Sequence, residues 1–125
     1  MTVGLQACRE RAFVQADFDR FAKLSGDHNP IHVDPEFAAR SRFGRTVAHG
    51  VLLMTVLRGL VGQLAPGARM SAQTVMFPAP TFADEPMAFC AEITGRSGPE
   101  THFSLEVRRV ADGVVTCQGS CTVQP

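Results

Sequence analysis

Apolar positions recur at helical spacing in the first half of the chain and in strand-like runs in the second, the change falling at Pro66. Residues 8–14 read as an opening strand. In the following run, Phe18, Phe21 and Ala22 share one helical face over 15–24, and Gly26 stops that helix. Asp34 before Pro35 has the form of an N-cap with proline at the first helical position, predicting a short helix that ends near Arg40. Residues 49–65 form the longest apolar segment, closed by Pro66-Gly67; it is apolar nearly all round, which predicts a buried helix. Beyond it, the runs 70–77, 87–96, 102–110 and 114–123 are rich in β-branched or aromatic residues and are divided by Pro80, Ser97-Gly98-Pro99 and Asp112-Gly113. Asp-Gly between two such runs signals a hairpin. One strand, a set of helices and an antiparallel meander together predict an α+β fold, a curved sheet wrapped around a buried helix. No linker or repeat interrupts the pattern, so residues 1–125 read as a single domain.

Composition narrows the classes of function. A chain of 125 residues, 45% of them hydrophobic, fills one core and not two. Twelve basic residues balance twelve acidic ones, so no global field points to nucleic acid or an anionic membrane. No apolar run approaches the ~20 residues of a membrane helix. The segment from Met1 to Phe13 is broken by Arg9, Glu10 and Arg11 and lacks the core of a signal peptide, so a cytoplasmic location is expected. Four cysteines raise the question of disulfides or zinc. Cys117 and Cys121 fall in one predicted strand and stand roughly 13 Å apart, too far to bond each other or share an ion. Cys8 and Cys90 are isolated in apolar surroundings, and all four are expected as reduced, structural thiols.

Candidate chemistry is concentrated in Ser25-Gly26-Asp27-His28-Asn29-Pro30-Ile31-His32, which gathers a carboxylate, an amide and two imidazoles around a proline that cannot sit in a helix interior. Asp27 and His32 can share one water molecule, the carboxylate taking its proton while the imidazole orients it or passes a proton onward. The same residue types also favour a plain turn. His28 and His32 have the spacing of a zinc helix, but Pro30 between them spoils that face, so no metal and no cofactor is expected. Neither His28 nor His102 is expected to act.

A second run, Ala48-His49-Gly50-Val51-Leu52-Leu53-Met54, leads into the long apolar segment. With it the pattern resembles the MaoC-like, R-specific enoyl-CoA hydratase family, whose signature is Gly-Asp-x-Asn-Pro-(Leu/Ile)-His, then Asp-Pro-x-Phe-Ala, then His-Gly at the start of a central helix. Here these are Gly26 to His32, Asp34-Pro35-Glu36-Phe37-Ala38 and His49-Gly50, and the spacing from Asp27 to Gly50 fits without a gap. The resemblance implies a hot-dog fold, a homodimer with sheets paired edge to edge, an acyl thioester substrate carried on coenzyme A or acyl carrier protein, Asp27 and His32 as the hydratase dyad, and Gly50 as oxyanion donor.

The residues bear that assignment. Hydration of an enoyl thioester needs a nucleophilic water, a proton for the α-carbon and stabilisation of charge on the thioester oxygen. Gly50 lies near a helix N-terminus, where unsatisfied N–H groups favour an anion and a glycine lets a ligand approach closely. Asn29 holds the loop or adds a donor, and His49 reads as a packed histidine at the helix start. One departure stands out: family members carry a small hydroxyl residue two turns into the central helix, where this chain has Arg58. Arg58 either enters the acyl pocket, filling it or pairing with Asp27, or snorkels to a dimer edge. In the first case Thr55, one turn earlier, would supply the hydroxyl. Lys23, Arg40, Arg42, Arg45 and Arg69 are candidates for coenzyme A phosphates. Hydration of enoyl-CoA leads, with dehydration of 3-hydroxyacyl groups on acyl carrier protein, thioester hydrolysis and a non-catalytic acyl-binding subunit as alternatives.

Overall fold

The computed structural model describes residues 2–125; Met1, the first residue of the segment read as lacking a leader core, lies outside the described residues. The elements run β1 (Gln6–Arg11), α1 (Gln15–Ser25), α2 (Pro30–Val33), α3 (Pro35–Ala39), α4 (Gly50–Leu64), β2 (Arg69–Met76), β3 (Met87–Ser97), β4 (Glu100–Arg109) and β5 (Val115–Gln124). The strands form one sheet in the order β1-β3-β4-β5-β2, every pairing antiparallel. This is the expected α+β hot-dog arrangement.

Strand alternation builds the core. Met87, Phe89, Ala91 and Ile93 of β3, Phe103, Leu105 and Val107 of β4, and Cys117, Cys121 and Val123 of β5 turn one face inward. Against them lie Leu52, Leu53, Leu57, Leu60 and Val61 of α4. The other side of α4 is exposed: Val51, Thr55, Gly59 and Gln63 recur every fourth residue as a solvent-facing stripe. The expectation of burial on all sides is therefore corrected. Val51, 59% exposed, is an apolar residue on that stripe, which is why composition alone overstated the burial.

Boundaries fall close to expectation. Gly26 is the left-handed C-cap of α1, at φ 81°, and Asp34 caps α3 through its carboxylate, which accepts from Glu36 N and Phe37 N. Gly113 takes φ 74° in the β4–β5 hairpin. The opening strand lies earlier than predicted, leaving Phe13 in the connection to α1, fully buried and edge-on to Phe89 with ring centroids 6.0 Å apart. The helical turn α2 was not predicted, because Pro30 was read only as a helix breaker; at the first helical position its missing N–H costs nothing.

The cysteines need a correction. Cys117 and Cys121 are buried free thiols, each pushed up to about 11 by burial. Cys8 and Cys90 instead form a disulfide. They are direct partners across β1 and β3, with Cα atoms 4.2 Å apart, and Cys8 is exposed on the outer side of the sheet. Separated by 82 positions, they could not be paired without knowing that the first strand lies beside the third.

Candidate active site

Three chain segments meet at the beginning of α4. In the first, the loop after α1, local hydrogen bonds fix the backbone. Asp27 N donates to Ser25 Oγ (3.1 Å), Asn29 N to Asp27 Oδ1 (3.2 Å) and Ile31 N to Asn29 Oδ1 (3.1 Å). Asn29 is thus the N-cap of α2. That cap starts the single turn carrying His32. Gln15, at the head of α1, donates to the His32 carbonyl (2.9 Å) and accepts from Thr46 Oγ1 (2.6 Å), bracing α2 from behind.

The second segment, 46–49, runs extended between neighbours. Val47 N donates to the Ile31 carbonyl (3.1 Å) and Ala48 N to the Thr81 carbonyl (2.8 Å). The Val47 carbonyl accepts from His32 Nδ1 (2.8 Å). Because a carbonyl only accepts, that nitrogen carries a proton, and Nε2 faces the Asp27 carboxylate, 3.8 Å from Oδ2. That gap is too long for a direct hydrogen bond and suits two groups that share a small molecule. The His32 side chain is 14% exposed and that of Asp27 54%, so the pair faces solvent from the carboxylate side.

His49 is the N-cap residue of α4 and is 2% exposed. Its ring stacks on that of His32, centroids 3.9 Å apart at 24°, and its Nε2–H donates to the Asp27 carbonyl (3.1 Å). Burial is the main cause that lowers its pKa below 6.5; the Asp27 carbonyl opposes the shift. Asp27, His32 and His49 bring potential ligand atoms within 4.8 Å of one another. Each ring commits one nitrogen to a carbonyl and keeps the other, His32 Nε2 and His49 Nδ1, uncommitted.

Gly50 and Val51 occupy the first two positions of α4, where an N–H has no acceptor inside the helix. Phe77, just after β2, lies over Gly50: an added Cβ there would stand 2.5 Å from Phe77 Cζ and 2.8 and 2.9 Å from Cε2 and Cε1. Gly50, Val51, Leu53, Phe77, Thr81 and Arg42 help line an adjoining cavity of about 640 Å³.

Several expected residues lie elsewhere. Arg58 Nη2 donates to the Ala68 carbonyl (3.0 Å), toward the C-terminal end of α4, and does not line the cavity beside Gly50. It neither enters that cavity nor pairs with Asp27, and the pocket-filling reading is withdrawn. Thr55, which donates to the Leu52 carbonyl (2.7 Å), lies on the exposed stripe and supplies no hydroxyl to the cavity. Of the candidate cations, Arg42 reaches the cavity. Arg45 stacks on Phe82, 4.4 Å from its centroid, and donates to the Ala83 carbonyl; Arg69 starts β2. His28 is exposed, and His102 contacts Thr122 Oγ1 on β5, away from this site. Phe77 was missed because its covering of Gly50 depends on how the chain returns after β2.

Comparison with known proteins agrees with this geometry. A family model described as "MaoC like domain" matches residues 3–115. The chain is 38% identical over 115 residues to an (R)-specific enoyl-CoA hydratase of Aeromonas caviae, covering 90% of this chain and 86% of that protein. It is 28% identical to a mitochondrial 3-hydroxyacyl-[acyl-carrier-protein] dehydratase of Arabidopsis thaliana, over 98% of this chain and 76% of the relative. The solved (R)-hydratase of A. caviae superimposes with a TM-score of 0.93 at 30% identity, covering 99% of this chain and 96% of the other. Matched by that family model over most of its length and 38% identical to the hydratase along nine-tenths of it, this chain is a member of the MaoC-like domain family.

Proposed function

We propose that this protein catalyses the reversible, R-specific hydration of a trans-2-enoyl-CoA to the (R)-3-hydroxyacyl-CoA. The reading rests above all on Asp27 and His32, whose Oδ2 and Nε2 face each other across 3.8 Å beside the N-terminus of α4. A water between them loses a proton to the dyad as its oxygen attacks the β-carbon, and the dyad returns a proton to the α-carbon. The Val47 carbonyl fixes the His32 tautomer, leaving Nε2 free to exchange that proton. Charge building on the thioester oxygen meets the Gly50 N–H, a donor of a kind worth ~3 kcal/mol of barrier. The roles are Asp27 and His32 catalytic, Gly50 oxyanion-binding and Asn29 loop-holding; the chemistry needs no cofactor or metal.

Dehydration of a 3-hydroxyacyl group on acyl carrier protein is the second reading, favoured by the likeness to the plant dehydratase along 98% of this chain. It uses the same site in reverse. Arg42, at the cavity, is the cation best placed to meet a carrier phosphate. We take residues 1–125 as one MaoC-like domain working in the cytoplasm as a homodimer, without nucleic-acid or membrane partners. The outer edge of β2 supports the dimer, with Val75, Met76 and Phe77 38%, 56% and 45% exposed along it and just beyond. Among the described residues no helix is long and apolar enough to cross a membrane.

The test follows the enoyl-thioester ultraviolet band with purified protein, comparing enoyl-CoAs of graded length with the same acyl groups on acyl carrier protein, and resolves the product's configuration. Loss of the band with formation of the R product supports the reading. Release of free thiol would make the protein a thioesterase, and binding without turnover an acyl-binding subunit.

A further inference from the structure

His49 has no part in the chemistry above, yet it touches both members of the dyad and directly precedes Gly50. One edge of its ring is committed, because Nε2 faces the Asp27 carbonyl and must carry the proton. The other nitrogen, Nδ1, is buried without a hydrogen-bond partner. A proton placed there would create a second buried N–H with nothing to accept it, so the ring is held neutral in the Nε2–H form. Its faces and remaining edge are also engaged. His32 stacks on it, while α1 brings Phe21, centroid 4.9 Å away, and Phe18, 6.5 Å away, edge-on.

We propose that His49 is a positioning residue for the hydration reaction: its neutral ring is the platform on which the His32 imidazole lies, and its Nε2–H pins the backbone of Asp27 to the start of α4. One side chain thereby sets the distance between the two catalytic groups and their placement relative to the Gly50 N–H. An imidazolium formed at His32 during proton transfer lies face to face with a neutral π system, which favours that charge. The same contact would penalise it if His49 were charged. The titratable groups facing His49 are His32 from α2 and Asp27 and His28 from the loop, while α1 presents only the two phenylalanines named. Burial pushes the His49 pKa down and so favours its uncharged form.

This inference rests on the dyad reading, and its test separates the two. Nitrogen-15 and carbon-13 chemical shifts of the imidazoles, followed against pH in the wild-type protein, should show His49 neutral and in the Nε2–H form while His32 titrates. A His49 that takes up its proton together with His32, or holds it on Nδ1, overturns the proposal whether or not the protein is a hydratase. His49→Phe keeps a flat ring under His32 and loses the bond to Asp27. His49→Gln keeps an N–H and loses the ring. Both should lose about 10–100-fold in kcat with KM little changed, as expected for groups displaced and not removed. In His49→Gln the His32 titration should move down by roughly half a pH unit, and in His49→Phe it should stay. Folded variants with normal kcat and an unmoved His32 titration would reduce His49 to packing. Should one variant fail to fold, the kcat and KM of the other, read with the wild-type shifts, decide the question. Absence of enoyl-thioester hydration by the wild type retires the dyad reading and leaves the measurement on His49 standing.

Discussion

Replacing Gly50 with alanine separates a steric requirement from a conformational one. Gly50 is not among the glycines with positive φ, and as the first residue of α4 it lies in a conformation any residue adopts. Backbone freedom is therefore not why glycine stands there. Space is: the added Cβ would meet three atoms of the Phe77 ring at 2.5, 2.8 and 2.9 Å, where carbon contacts are ordinarily about 3.5–4.0 Å. The ring must retreat by about 1 Å. Phe77 is 45% exposed and follows an edge strand, so the movement is available. Overpacking of a rigid core typically costs about 1–3 kcal/mol; at this half-open position the lower end is expected, partly offset by the better helix propensity of alanine. Catalysis should suffer far more. The same methyl crowds the approach to the Gly50 N–H, and losing one oxyanion donor typically lowers kcat by about 10²–10³-fold. Thermal melts and initial rates of enoyl-CoA hydration on Gly50→Ala measure the two effects. Adding Phe77→Ala should relieve the contact with the new methyl without restoring the rate. Near-normal kcat in Gly50→Ala, with the fold intact, would refute the oxyanion role and leave the glycine as a packing partner of Phe77.

Asp27→Asn and His32→Ala should each reduce hydration by ~10²–10⁴-fold; stability read from melting should change little in Asp27→Asn, whose side chain is half exposed and bonds within its own loop, and fall by about 1 kcal/mol in His32→Ala, which loses the bond to the Val47 carbonyl; near-normal turnover in either sinks the dyad. Activity should survive exhaustive chelation and treatment with iodoacetamide at pH 8, where Cys117 and Cys121, at about 11, are about one part in a thousand thiolate; a loss restored by one particular metal would overturn the metal-free mechanism. Arg58→Ser should leave the preferred acyl length unchanged, because the side chain points to the Ala68 carbonyl, and should cost about 1 kcal/mol of stability for that bond; a widened length profile would put Arg58 back in the pocket. Mild reduction of the Cys8–Cys90 bond should lower the melting temperature, since the bridge closes a long loop and such links contribute about 2–4 kcal/mol, and an unchanged melt would show that the sheet holds β1 unaided.

What could be read from sequence divides according to whether its cause is local. Gly26, Asp34-Pro35 and Asp112-Gly113 each act within a few residues, and the structure puts a helix stop, a helix start and a hairpin at those places. Asp27 and His32 were legible for the same reason, since the loop that holds them is made by its own side chains. Their facing was not. It depends on the Val47 carbonyl fixing the His32 ring, 15 residues away in sequence. Phe77 over Gly50 and Cys8 beside Cys90 belong to sheet order and register, which one sequence does not state. Arg58 was left open for a different reason. Sequence allowed its side chain either to enter the pocket or to snorkel away, and it is the Ala68 carbonyl, beyond its own helix, that draws it aside.

The direction in which the reaction runs is not a property of this geometry. Hydration and dehydration pass through one transition state, so the roles we propose for Asp27, His32 and Gly50 would accelerate both, and the levels of enoyl and hydroxyacyl thioester decide the flux. The carrier is a different matter, because it binds outside the reacting centre. Arg45 is committed to Phe82 and the Ala83 carbonyl, Arg69 sits at the head of β2, and of the five candidate cations Arg42 is the one that lines the cavity adjoining Gly50. Arg42 is itself stacked on Phe43, 4.7 Å from the ring centroid, so its charge is held near the cavity by an aromatic platform. A cation that contacts only the carrier should change KM for the thioester and leave kcat alone, because it binds ground state and transition state equally. The discrimination between coenzyme A and acyl carrier protein should therefore be read from KM in Arg42→Ala, and kcat from variants of Asp27, His32 and Gly50.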